Sequence, residues 1–135
     1  RLLTIALVHG GWLHLLFNML ALYSLGITIE NYFGKSKYIF ILLTSLIFGS
    51  LTSYFFNPLT SFAVGSSGMI FGLFGCLLVI GKRMGANLRE GLGLIGLNLV
   101  IPFVIPGIDW KAHLGGLAGG VLATLLVKPK RALWE

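Results

Sequence analysis

The charged residues of this chain fall in short clusters, and the stretches between them are almost wholly apolar. Lys35 and Lys37, Lys82 and Arg83, Arg89, and the group Lys128, Lys130 and Arg131 punctuate a sequence that is 56% hydrophobic and only 10% charged. A soluble domain carries about 25% charged residues, so this chain has less than half the usual supply. About 20 apolar residues cross a bilayer as a helix, and several such stretches fit end to end in 135 residues. The pattern implies an all-α, polytopic transmembrane helical bundle.

The net charge of +6 does not mark a nucleic-acid protein. Its lysines and arginines flank apolar runs, as membrane-edge loops do, instead of forming a basic face that follows phosphates. The single cysteine, Cys76, lies inside an apolar run. It supports neither a disulfide framework nor a cysteine metal site, and reads as a small buried hydrophobe.

Breakers and charges place five spans, at about 14–33, 36–56, 67–81, 91–105 and 110–127, with ends good to about two to four residues. Gly34, the turn pair Asn57-Pro58, Lys82-Arg83, Pro106-Gly107 and Lys128-Pro129 close them in turn. Eight basic residues (35, 37, 82, 83, 89, 128, 130 and 131) fall at one set of span ends, and only Arg1 and Lys111 at the other. The positive-inside rule puts the eight in the cytoplasm. The first, third and fifth spans then run from outside to inside. His14, Ser67 and His113 therefore lie at similar depth, near the outer ends of three parallel helices.

Ser67 lies in Gly65-Ser66-Ser67-Gly68, at a loop-to-helix transition. A serine hydroxyl needs a neighbouring base to become a nucleophile, and a helix N-terminus favours a developing oxyanion. A plain helix cap by Ser66 or Ser67 is the competing reading. His113 bears on that choice, because an ionisable group within a span marks a functional site by default. Gly116 and Gly120, three and seven residues on, share its helix face. Small residues at this spacing let membrane helices approach closely, and the third span carries its own stripe at Gly68, Gly72 and Gly75. Packing of the two stripes is expected to bring the His113 imidazole within reach of Ser67. The alternative is a histidine bonded to a backbone carbonyl beside a packing motif. In His9-x4-His14-x3-Asn18 the last two residues project from one face. They are candidates for an oxyanion hole, or for polar contacts between helices.

Three stretches together carry a resemblance: His9-Gly-Gly-Trp-Leu-His14-Leu-Leu-Phe-Asn18, the Gly65–Gly68 loop, and Ala112-His113-Leu-Gly-Gly116-Leu-Ala-Gly-Gly120. They resemble the signature motifs of rhomboid intramembrane serine proteases, in the family's order and at comparable spacing. Arg1 is similar to the arginine of the family's first outer loop, and Glu30 to the glutamate near the inner end of the following helix. The resemblance implies a six-helix core with an outward-opening cavity, of which five helices are present here and the first is expected upstream of Arg1. It also implies a Ser67–His113 dyad without an acidic third member, and an oxyanion hole from His14, Asn18 and the Ser67 N–H. His9, Gly65, Gly68, Gly116, Gly120, Arg1 and Glu30 would give structural support. Phe71, four residues after Ser67, keeps the ring that in the family often stacks on the histidine, but lacks its hydroxyl.

The implied activity is cleavage of transmembrane proteins near the outer face of a membrane, the plasma membrane by inference, with the bilayer as surroundings and no cofactor, metal or nucleic acid. The alternatives are an inactive relative that binds membrane clients, and a metal transporter or metalloenzyme using His9, His14 and His113. The sequence has no His-Glu-x-x-His element and no cysteine pair to support the latter.

Overall fold

A computed structural model of the chain describes residues 7, 11–58, 66–104 and 107–130, the side chains of 90, 94, 102 and 103 excepted. These residues form five α-helices: α1 (Trp12–Phe33), α2 (Lys35–Phe56), α3 (Ser67–Arg83), α4 (Arg89–Val104) and α5 (Trp110–Leu126). There is no strand among the described residues. Each expected span overlies one helix. The ends agree to within two residues, the difference being most visible where α3 continues through Lys82 and Arg83. Hydropathy marks where side chains turn polar, whereas backbone hydrogen bonding carries on beneath long side chains that reach out to water.

α1 and α2 have 22 residues each, or about 33 Å at about 1.5 Å per residue. That length crosses a hydrocarbon core of about 30 Å. A single residue, Gly34, joins them. Its φ of 85° lies in the left-handed region that a Cβ disfavours, and its N–H closes α1 by donating to the Glu30 carbonyl at 2.7 Å. Just after the turn, Tyr38 packs on Gly26, where an added Cβ would stand 2.5 Å from the tyrosine hydroxyl.

α5 packs most extensively, between α2 and α3; α1 rests on α2 and α3, and α4 touches α3 and α5 only at the edge. Between lipid-exposed helices there is little hydrophobic driving force, so close packing and hydrogen bonds must hold them. α5 meets this need with two glycine faces. Toward α3, a Cβ at Gly116 would overlap the Gly68 carbonyl oxygen, and one at Gly120 would overlap that of Gly72. Toward α2, a Cβ at Gly115 would lie 2.7 Å from the Phe48 carbonyl oxygen, and one at Gly119 would lie 3.0 Å from that of Thr44. The second face, Gly115 and Gly119, was not singled out by the sequence pattern.

Toward the ends that carry the basic residues, Ile29, Phe33, Ile41, Leu73, Cys76, Ile80 and Ala123 form one apolar cluster drawn from α1, α2, α3 and α5. Buried hydroxyls there bond to their own helices, Ser45 Oγ to the Ile41 carbonyl at 2.7 Å and Thr124 Oγ1 to that of Gly120 at 2.6 Å. Below the cluster, the basic side chains close the end of α5. Arg83 donates to the Thr124 carbonyl at 3.0 Å, and Lys37 to that of Lys128 at 2.9 Å. The Lys130 N–H reaches the Tyr32 carbonyl at 2.9 Å, tying the end of α5 to α1. Cations beside helix C-terminal carbonyls are favoured by the helix dipole.

Candidate active site

Ser67 is the first residue of α3, and Ser66 precedes it as the N-cap with φ −82° and ψ 6°. The Ser66 side chain makes no capping hydrogen bond at this terminus. The Ser67 Oγ lies 3.0 Å from His113 Nε2. His113 is buried one turn into α5, and its backbone N–H donates to the Asp109 carbonyl at 3.3 Å. A contact between residues 46 positions apart depends on the glycine seam just below it, where Gly116 and Gly68 meet backbone to backbone.

The imidazole is held from the side by Phe71. The two rings stack with centroids 4.1 Å apart and planes within 9° of parallel. Phe71 is one turn beyond Ser67 on the same helix, so α3 supplies both the hydroxyl and the surface that orients the ring. His113 Nδ1 is buried and has no hydrogen-bond partner among the described residues. A neutral ring whose Nε2 accepts the serine proton carries its own hydrogen on Nδ1.

From α1, His14 is half-buried one turn inside the helix and within electrostatic range of His113. Asn18, the next turn on, is buried, and its Nδ2 donor has no partner among the described residues. A buried amide donor without an acceptor is costly in the resting protein, and is suited to an oxygen that gains charge during a reaction.

The remaining expected site residues divide by place. Gly68, Gly116 and Gly120 belong to the α3–α5 seam. Glu30 is exposed near the C-terminal end of α1, twelve residues beyond Asn18. It is therefore about 18 Å along the axis from that residue at about 1.5 Å per residue, and does not adjoin Ser67. Arg1, His9 and Gly65 lie outside the described residues.

One polar cluster escaped the sequence reading. Asp109, the N-cap of α5, accepts from the N–H groups of Lys111 and Ala112, each at 3.1 Å. Its other carboxylate oxygen accepts from Asn57 Nδ2 at 2.7 Å and from the Ser53 hydroxyl. The available signal was Ser53-x3-Asn57 at the end of one span opposite an acid at the start of another.

The chain matches the Rhomboid domain family model over residues 1–130. It is similar to the rhomboid protease GluP of Bacillus subtilis strain 168, 38% identical over 131 residues, which cover 91% of this chain and 25% of GluP. It is likewise similar to the putative rhomboid protease YdcA of the same strain, 33% identical over 139 residues, or 97% of this chain and 68% of YdcA. RHOMBOID-like protein 4 of Arabidopsis thaliana is 36% identical over 138 residues, covering 96% of this chain and 34% of that protein. The chain thus spans from a quarter to about two thirds of the length of these relatives. With a family match over nearly its whole length and an all-helical bundle of membrane-spanning character, this chain belongs to the rhomboid family.

Proposed function

We propose that residues 1–135 form the core of an intramembrane serine endopeptidase that cuts transmembrane segments near the outer face of the membrane, with Ser67 as nucleophile and His113 as its base. The observation that carries this reading is the 3.0 Å contact between Ser67 Oγ and His113 Nε2 at the outer ends of α3 and α5. The kinship with GluP and YdcA, both named as proteases, supports it.

In this mechanism the Ser67 hydroxyl transfers its proton to His113 Nε2 as Oγ attacks the scissile carbonyl carbon. The oxyanion that forms is stabilised by His14, by Asn18 Nδ2 and by the Ser67 backbone N–H. The protonated imidazole then gives its proton to the departing amine. Water, deprotonated by the same nitrogen, hydrolyses the acyl-enzyme and restores the hydroxyl. Among the described residues no carboxylate meets Nδ1 of the imidazole, so the stack on Phe71 takes over part of that orienting role. The substrate is a membrane protein whose transmembrane helix unwinds at its outer end, since a peptide bond must leave the helix to reach Ser67. A plasma membrane with the basic loops inside fits the charge pattern.

A fluorophosphonate probe, applied to the full-length protein, tests the reading without knowledge of the substrate. Labelling is expected in the wild type and absent in Ser67→Ala and His113→Ala. A folded wild type that does not label would favour an inactive rhomboid-like protein that binds membrane clients. Asn18→Ala is expected to slow cleavage by about 10²–10³-fold, the usual cost of one oxyanion donor, as measured by kcat on a transmembrane substrate.

A further inference from the structure

We infer that Asp109 is a positioning residue for His113, acting through a clamp between the outer ends of α2 and α5. The catalytic consequence rests on the Ser67–His113 reading above; the clamp itself does not.

The carboxylate is fully engaged, and not with the imidazole. One oxygen accepts from the Lys111 and Ala112 N–H groups in the first turn of its own helix. The other accepts from Asn57 Nδ2 and the Ser53 hydroxyl on the last turn of α2 and its cap. Asn57 Nδ2 also lies 3.1 Å from Ser53 Oγ, so the two α2 donors hold each other in place. Capping α5 requires only the first oxygen. The second serves a different purpose, joining two helices.

A second tie crosses the same joint, where Lys111 Nζ donates to the Phe56 carbonyl at the end of α2. Between this joint and His113 lies Ala112, whose carbonyl oxygen is wedged among three helices. A Cβ at Gly49 of α2 would come within 2.9 Å of it, and one at Gly68 of α3 within 3.1 Å. These contacts fix the spacing between α5 and its neighbours sideways. Contacts to glycine carry no side-chain interlock along the helix axis, so directional hydrogen bonds add what they lack in that direction. The bonds to Asp109 are of that kind. His113 is one turn further along, and among the described residues its Nδ1 has no acceptor to anchor the ring independently. The distance from Nε2 to Ser67 therefore depends on the height of α5, which the clamp sets at this end of the helix while Arg83, Lys37 and the Lys130 N–H hold the other. In an active site a misplacement of about 1 Å costs on the order of 10² in rate.

The test uses the full-length protein with 15N-labelled histidine, the His113 signals being assigned by their loss in His113→Ala. Asp109→Asn keeps the capping oxygen but replaces the second carboxylate oxygen with an amide donor, so the Ser53 and Asn57 donations to that oxygen are lost and only a weaker neutral contact through a turned Asn57 amide remains. It is expected to slow fluorophosphonate labelling about 10- to 100-fold and to move the His113 Nε2 signal toward its position in Ser67→Ala. The exchanged pair Asp109→Asn with Asn57→Asp restores a donor facing an acceptor, and is expected to recover both readouts. If Asp109→Asn does not fold, Ser53→Ala, which removes one donor, takes its place. An Asp109→Asn protein that melts earlier while its His113 signal and labelling rate stay at wild-type values would overturn the inference. So would failure of the exchanged pair to recover the signal. If the wild type does not label but the His113 signal moves and recovers as described, the clamp stands and the protease reading falls.

Discussion

α4 and α5 are both short, glycine-rich apolar helices, of 16 and 17 residues, yet their glycines have opposite surroundings. In α5 a methyl group at Gly116 would come within 2.6 Å of the Gly68 carbonyl carbon, and closer still to its oxygen. In α4, Gly93 and Gly96 have nothing within 4 Å among the described residues. α5 is held on two sides by backbone, whereas among the described side chains of α4 only Ile95 is buried. Glycine in a membrane helix is thus no evidence of packing by itself. It becomes so where a second small-residue face lies opposite, as Gly68 and Gly72 do here. The difference also separates the two ends of function. The part of the bundle that holds Ser67 and His113 is built from contacts that have no slack, and α4 borders it without sharing them.

One substitution, Gly→Ala, made at three positions, can break this comparison. The largest effect is expected for Gly116→Ala, because its neighbour is backbone that cannot rotate away. Overpacking of this kind costs about 1–3 kcal/mol and sometimes more. The parting of α3 from α5 should remove nearly all probe labelling by Ser67, and retained labelling would refute the seam. An intermediate effect is expected for Gly119→Ala, whose nearest neighbours are the Phe48 side chain at 2.7 Å and the Thr44 carbonyl oxygen at 3.0 Å. Part of that contact can yield by rotation of the phenylalanine, so thermal stability in detergent should fall while measurable labelling remains. The smallest is Gly96→Ala, with labelling unchanged and stability equal or higher by about 0.5–1 kcal/mol, the usual gain from replacing glycine in a helix interior. A large loss there would show that α4 is held as tightly as α5.

A further substitution sharpens the same point on the site itself. Phe71→Leu keeps an apolar side chain but removes the parallel ring beneath His113. Stacking of this sort contributes about 0.5–1.5 kcal/mol beyond area burial. A fall in labelling of roughly threefold to tenfold, with little change in melting temperature, is the expected outcome, since about 1.4 kcal/mol corresponds to tenfold in rate.

Much of the bundle could be read from one dimension. Apolar runs end at Gly34, Asn57-Pro58 and Lys82-Arg83 because lipid does not tolerate charge or unpaired backbone, so the spans declare themselves. The His113, Gly116 and Gly120 spacing showed which face of α5 was small, and the stripe at Gly68 and Gly72 offered it a partner. Gly115 and Gly119 were harder to read. They form an equally small face, but their counterparts on α2 are Phe48 and Thr52, residues that carry no packing signature. The steric match there lies in side-chain direction, which spacing does not encode. Asp109 stands four residues before His113, but nothing in its spacing tied it to Ser53 and Asn57 of another helix. Its position as N-cap turned the carboxylate toward the first-turn N–H groups and α2.

The sequence by itself determined that the chain is built of apolar helices fit to span a membrane and which helix ends carry the basic residues, and it raised the expectation that a serine, two histidines and an asparagine share one depth. These follow from solvation, because the cost of placing charge or open backbone in hydrocarbon is local and can be read residue by residue. Only the tertiary structure decided that α5 lies between α2 and α3, that Phe71 lies parallel to the His113 ring, and that Asp109 bonds to α2. Those depend on the relative rotation and height of helices far apart in sequence, set by many weak contacts acting together, none of them decisive alone.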